Sequence, residues 1–215
     1  IGCAVYQEPF GARAGFPQDH RQFAGHLPAG RSGLRATLMP HDLVVAIGAP
    51  VFRQYPFEDG PLVPGGTSVV VVTDDSDEAA RSPADLAILA DPAEFAQKLA
   101  AEVPAGSQAV VQARPVQRPS PAQQGAKLRA ADVLSALADR LPRNTIVVEE
   151  TPSSRSELHE LLPAREPLGF VSAAMGGLGF AMPAAIGLKM AAPERPVVAV
   201  LGDGSSLYSI QSLWS

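Results

Sequence analysis

Apolar residues in this chain come in short unbroken runs, and each run stops on glycine or an acid. Leu43 to Ile47 closes on Gly48, and Ser68 to Val72 runs on to Asp74 and Asp75. Apolar at nearly every position and rich in β-branched residues, both runs predict strands covered on two faces, as in a parallel sheet. A shorter run follows at Asp85 to Leu89. Later come NTIVVEETPSS, strand-like and closing on polar residues, and VVAVLGDGS, the last strand. Between the first two runs, YPFEDGPLVPGG holds too many breakers for a long helix.

Helical signals alternate with these runs. DSDEAARS offers a helix start, and DPAEFAQKLAAEV adds Asp91 as N-cap, Pro92 at the first helical position and a Glu in the first turn. Leu128, Val133, Leu134, Leu137 and Leu141 recur at helical spacing until Pro142 stops them. Gly176 to Ala192 reads as a glycine-rich turn opening a helix of small apolar residues. PAGSQAVVQARPVQRPSPAQQGAK has no apolar period and the composition of a linker, or else of a long loop folded over one domain. The chain is therefore read as α/β, with parallel-sheet domains carrying helices on both faces: residues 1–105, a proline-rich linker at 106–125, and residues 126–215.

Composition narrows the function. With 46% hydrophobic and 18% charged residues over 215 positions, the chain can bury a real core. A net charge of -5 argues against a nucleic-acid partner, which needs a basic surface. No apolar stretch approaches the ~20 residues of a membrane span, and IGCAVYQEPF has neither region of a signal peptide. That opening lacks Met and begins apolar, so the inside of a longer protein is expected. The single cysteine, Cys3, precludes an intrachain disulfide, fits a reducing cytosol, and is expected to be a small buried hydrophobe.

Parallel sheets bind ligands beyond the carboxyl ends of their strands, and three segments there are unusual: EETPSS, MGGLGFAMP and GDGSS. Gly202 and Gly204 let a ligand approach the backbone and free N–H groups for anionic oxygens. Asp203 between them is a natural ligand for Mg²⁺ shared with phosphate, or else the cap of a helix beginning near Leu207. A dinucleotide fingerprint fails: Gly177 and Gly179 are present, but Met182 takes the third glycine's place and no clean β-branched strand precedes them. His20, His26, His41 and His159 show no metal-type spacing. Of these, His20 lies in a Pro/Gly-rich loop, GFPQDHRQFAGHLPAG, where functional residues gather.

GGLGFAMPAAIGLKMAAPERPVVAVLGDGSSLYSIQSLW resembles the half-domain in which the thiamine-diphosphate enzymes hold the cofactor's diphosphate. GDGS matches the start of their GDG…NN motif. The likeness extends to GFPQDHRQFAGHLPAG and HDLVVAIGAPVF, and is nearest to the benzoylformate decarboxylase branch of the 2-oxo acid decarboxylases. It implies part of a middle domain followed by part of a diphosphate-binding domain, with the cofactor-activating glutamate and the remaining metal ligands elsewhere. Asp203 would bind Mg²⁺. The backbone at Gly204 and Ser205, with Thr151 and Ser153, would hold the diphosphate; Pro152 stands where the family often has a hydroxyl. Gly176 would offer its carbonyl to the cofactor's amino group, and Leu178 would wedge beneath the thiazolium. His20 matches the histidine that handles protons on the intermediate, and Ser172 replaces an aromatic side chain near the substrate. The implied protein is a cytoplasmic homo-oligomer, dimer or tetramer, that decarboxylates a 2-oxo acid. Acetolactate synthase-type carboligation, or a non-catalytic chain keeping the fold, are the alternatives.

Overall fold

A computed structural model describes residues 2–55, 57–104, 120 and 127–214, which gather into two units. One holds Ile1–Pro9 and Ala24–Val111, the other Phe10–Phe23 and Gln112–Ser215. The predicted linker at 106–125 lies almost wholly outside the described residues.

The first unit opens with a two-stranded pair, β1 (Val5–Gln7) and β2 (Phe23–His26), and then helix α1 (Arg31–Leu38). Next come β3 (Leu43–Ile47), β4 (Ser68–Thr73), α2 (Ser76–Arg81), β5 (Leu86–Leu89) and α3 (Pro92–Glu102). The strands form a parallel sheet in the order β3-β4-β5, with Leu43 opposite Ser68 and Val70 opposite Leu86. Strand alternation sends Val69, Val71 and Ala46 into one core with Leu34 and Leu38 of α1. Coverage on two faces, expected along β3, is incomplete: Leu43, Val45 and Leu86 share the opposite face and are exposed, although Val72 on that face is buried. Cys3 is also exposed rather than buried, because it precedes β1 in a segment outside that core.

The second unit contains α4 (Ala130–Ala138), β6 (Ile146–Glu150), α5 (Arg155–Leu161), β7 (Phe170–Ser172), α6 (Ala181–Ala191), β8 (Val197–Leu201) and the short α7 (Asp203–Ser206). Its strands are parallel in the order β7-β6-β8. Here helices do cover both faces. Val147 and Phe170 pack with Leu134 of α4 and with Leu158 and Leu161 of α5. Ile146, Val148 and Val171 pack on the other side with Ala181 and its neighbours in α6. β6 is consequently buried at all five positions, as a central strand between two helical layers must be. Leu128, counted at helical spacing in the sequence, precedes α4 and is exposed.

The Phe10–Phe23 segment packs on this second unit although the chain visits it early. The Ser172 N–H donates to the Ala12 carbonyl at 2.9 Å, and Arg13 bridges Val171. Gln18 is buried, its N–H donating to the Ala164 carbonyl and its side-chain oxygen accepting from the Ala164 N–H at 2.7 Å. Arg143 pairs with Asp19 at 2.6 Å, which holds the guanidinium still further above its ordinary pKa.

Candidate functional site

Since β7, β6 and β8 run parallel, their carboxyl ends at Ser172, Glu150 and Leu201 open on one edge of the sheet. That edge is where such sheets bind ligands. EETPSS begins in the last two residues of β6, while MGGLGFAMP and GDGSS follow β7 and β8. A strand does precede MGGLGFAMP after all: β7 spans only three residues, too few for an apolar run to stand out.

β6 ends on two acids, Glu149 and Glu150, that are 1% and 4% exposed. Successive strand residues face opposite ways, so the two carboxylates separate into different layers. Glu149 accepts from the Thr151 N–H at 2.7 Å and from the Ser172 hydroxyl at 2.8 Å, with Arg155 3.6 Å away. Glu150 turns toward α6 and accepts from the N–H groups of Gly179, Phe180 and Ala181 at 2.8, 2.8 and 2.7 Å. Buried carboxylates are tolerable when saturated in this way. The arrangement also explains physically why GGLGF is no dinucleotide loop: the N–H groups that would meet a phosphate already hold Glu150. Neither acid was singled out in the sequence, where the signal was two acids closing an otherwise apolar strand.

The turn before α6 is conformationally unusual. Met175 has φ of 62° and Gly176 φ of 74°, a left-handed pair in which glycine is the natural second member. Nothing lies within 4 Å of a Cβ placed at Gly176 or Gly177, and Leu178 is 42% exposed. The turn thus presents a carbonyl-bearing backbone and an uncovered leucine at the strand-end edge. Just after β6, Thr151 is buried, and a 3₁₀ turn at Pro152–Ser154 leaves Ser153 exposed.

After β8, the Gly202 N–H donates to the Glu150 carbonyl at 3.0 Å and α7 begins at once on Asp203. The alternative of Asp203 as a cap for a later helix is not what the chain does: the cap position is Gly202, and no side-chain capping bond is made. Asp203 is exposed, and among the described residues its carboxylate has no hydrogen-bond or ion-pair partner. A Cβ at Gly204 would meet nothing within 4 Å, whereas one at Gly202 would come within 3.2 Å of the Ser205 Oγ. Open space, exposed backbone and one uncommitted carboxylate suit an oxyanion with a hard cation. Among the described residues no group of three His, Cys, Asp or Glu side chains could hold a metal alone.

His20 belongs to this same unit, not to the other. It is exposed, stands edge-on to Phe16 at 5.2 Å, and accepts the Gln22 N–H on Nδ1 at 3.2 Å. That bond occupies Nδ1 as an acceptor and leaves Nε2 as the other polar atom of the ring. A cavity of about 30 Å³ near Thr145 and Gly169 lies by the amino-terminal ends of β6 and β7 and has room only for water.

The chain belongs to the thiamine pyrophosphate enzymes: residues 1–99 match their central domain and residues 153–215 their C-terminal TPP binding domain. It is 38% identical over 207 residues to benzoylformate decarboxylase of Pseudomonas aeruginosa, covering 96% of this chain and 39% of that protein. It is 31% identical over 217 residues to IlvX of Mycobacterium tuberculosis, a protein named for the acetolactate synthase large subunit, covering 99% and 38%. The crystal structure of benzoylformate decarboxylase from Polynucleobacter necessarius superposes with a TM-score of 0.92 at 31% identity, over 100% of this chain and 41% of that one. The chain thus spans about two fifths of the length of these relatives. Among the described residues no helix is long and apolar enough to cross a membrane.

Proposed function

We propose that this chain is part of a thiamine-diphosphate- and Mg²⁺-dependent decarboxylase of 2-oxo acids. The observation that carries the reading is Asp203, a carboxylate between two glycines at the end of β8, unpartnered among the described residues, on the edge shared with Thr151, Ser153 and Gly176. Asp203 would take one position on Mg²⁺, the rest coming from diphosphate oxygens, water and residues beyond the described ones. The backbone of Gly204 and Ser205 would hold the diphosphate with Thr151 and Ser153. Gly176 would present its carbonyl to the cofactor's amino group, and Leu178 would press on its ring system. When bound, the cofactor supplies the carbon nucleophile and the electron sink that let the carboxylate leave. His20, through Nε2, would hold or deliver a proton at the reacting carbon.

Support for decarboxylation over carboligation comes from the benzoylformate decarboxylase relative, which is more similar than the acetolactate synthase-type one over nearly the same span. Ser172 is the residue that bears on the substrate. Its hydroxyl is bonded inward to Glu149 and leaves no aromatic surface at the end of β7, which favours a non-aromatic 2-oxo acid. The reading carries with it a cytoplasmic homo-oligomer, and no turnover by these 215 residues alone.

The deciding experiment is cofactor titration by calorimetry on the full protein, with and without Mg²⁺, for the parent and Asp203→Ala. Loss of Mg²⁺-dependent binding in the variant supports the reading, and unchanged affinity removes Asp203 from the metal. Product analysis with benzoylformate and pyruvate then separates aldehyde release from formation of a 2-hydroxy ketone.

A further inference from the structure

We propose that Glu150 is the positioning residue of this site, fixing the Gly176–Leu178 turn against the Gly202–Ser205 loop. The inference rests on the cofactor reading above. Both oxygens of its buried carboxylate are occupied by the three N–H groups that directly follow the turn, at 2.7 to 2.8 Å. Its main-chain carbonyl accepts the N–H of Gly202, the residue before Asp203. One residue therefore ties both cofactor-facing segments to the end of β6. It reaches them in different ways, by side chain to one and by backbone to the other.

The turn has little else to hold it. Gly176 donates to the Ala173 carbonyl at 3.1 Å and Met175 to the Phe10 carbonyl at a long 3.4 Å, while no atom lies within 4 Å of a Cβ at Gly176 or Gly177. Charge-assisted bonds such as those of Glu150 are roughly twice as strong as neutral ones. They also act where a helix start carries partial positive charge. With both oxygens engaged and the residue only 4% exposed, Glu150 acts through the turn rather than on reacting atoms. Its removal should loosen the Gly176 carbonyl and Leu178 while the diphosphate contacts of Ser153, Gly204 and Ser205 stay in place. The backbone bond to Gly202 survives any side-chain change.

The separation between the two halves of the ligand is measurable. Calorimetric titration of the full protein with Mg²⁺ would compare thiamine diphosphate with inorganic pyrophosphate, for the parent, Glu150→Ala and Glu150→Gln. Glu150→Ala should weaken thiamine diphosphate by ~10-fold or more and change pyrophosphate by no more than ~2-fold, since bonds to a charged group are lost on one side only. Glu150→Gln should fall between, because its amide keeps one acceptor oxygen but sets an N–H₂ against a backbone donor. Equal loss of both ligands would mark general structural damage and overturn the proposal. So would unchanged thiamine diphosphate affinity in both variants. Should Glu150→Ala melt below the assay temperature, Glu150→Gln decides by the same ratio. A parent that binds neither ligand would overturn the cofactor reading itself, and this inference with it.

Discussion

Two three-stranded parallel sheets in one chain, β3-β4-β5 and β7-β6-β8, both bury their central strand yet finish their strands differently. In the first, polar residues serve the element that comes next. Asp75 accepts the N–H groups of Asp77 and Glu78 and so caps α2, and Asp91 accepts the Glu94 N–H at 2.8 Å and caps α3. In the second, Glu149 and Glu150 reach across to segments more than twenty residues away, and Asp203 caps nothing. An acid after an apolar run is local punctuation in one sheet and either a cross-tie or an uncommitted carboxylate in the other. The residue proposed above for the metal is the one that the described fold leaves without a structural task.

Variants that widen or erase this contrast follow from it. The largest effect is expected at His20, whose ring, among the described residues, accepts the exposed Gln22 N–H and stands edge-on to Phe16. His20→Ala in the full protein should slow turnover by roughly 10²–10⁴-fold, the range for a general acid–base group. The pH profile should change and the melting temperature should hold. Early melting with parental turnover would make His20 a packing residue. Leu178→Ala comes next and should lower the rate more than the cofactor affinity, with little loss of stability because the side chain is half exposed. An unaltered rate removes the wedge role. A paired substitution then tests the contrast directly. Asp75→Ala should lower the melting temperature by a few degrees, as loss of a cap does, and leave cofactor binding alone. Asp203→Ala should do the reverse, so a lower melting temperature in Asp203→Ala would return it to a structural role.

How far the residues alone could lead is uneven, for physical reasons. The central strands β4 and β6, and helices α3 and α6, were legible because their signals are local: apolar runs, Asp91 before Pro92, a glycine-rich turn before small apolar residues. Helix α1 was not. It has no side-chain cap of its own, carries Gly33 inside, and takes the missing bond from Glu58, which accepts the Ser32 N–H at 2.7 Å from 26 residues away. The placement of Phe10–Phe23 with the second unit was equally hidden, because it depends on Gln18 meeting Ala164 across 146 positions. At the site, the glycines and Asp203 were visible as a pattern. The work of Glu149 and Glu150 depends on which face each side chain takes, and that follows only from the register of β6 between its neighbours.

The smallest expected effect is the acid sensitivity of the caps. Backbone N–H groups of Glu78 and Asp77 hold the Asp75 carboxyl below its ordinary 3.8, and the Ser32 N–H holds Glu58 below 4.5. In the second unit Arg129 does the same for Asp132, through a 2.7 Å ion pair at the start of α4. A carboxyl with a folded pKa below its unfolded one favours the folded state wherever it is ionised in both. That contribution is complete above the unfolded value and is lost as pH falls through the folded one. These groups therefore leave stability flat near neutrality and erode it below about pH 4. Asp75 is exposed and Glu58 and Asp132 are only partly buried, within reach of salt, so the slope should be shallow and shallower still in added salt for the Arg129–Asp132 pair. Asp75→Asn keeps an acceptor oxygen for the cap but cannot titrate, so its melting temperature should fall less between pH 5 and about pH 3 than the parent's. Melting curves across that window that run parallel in the parent and Asp75→Asn would show that the cap holds by geometry alone, without help from its charge.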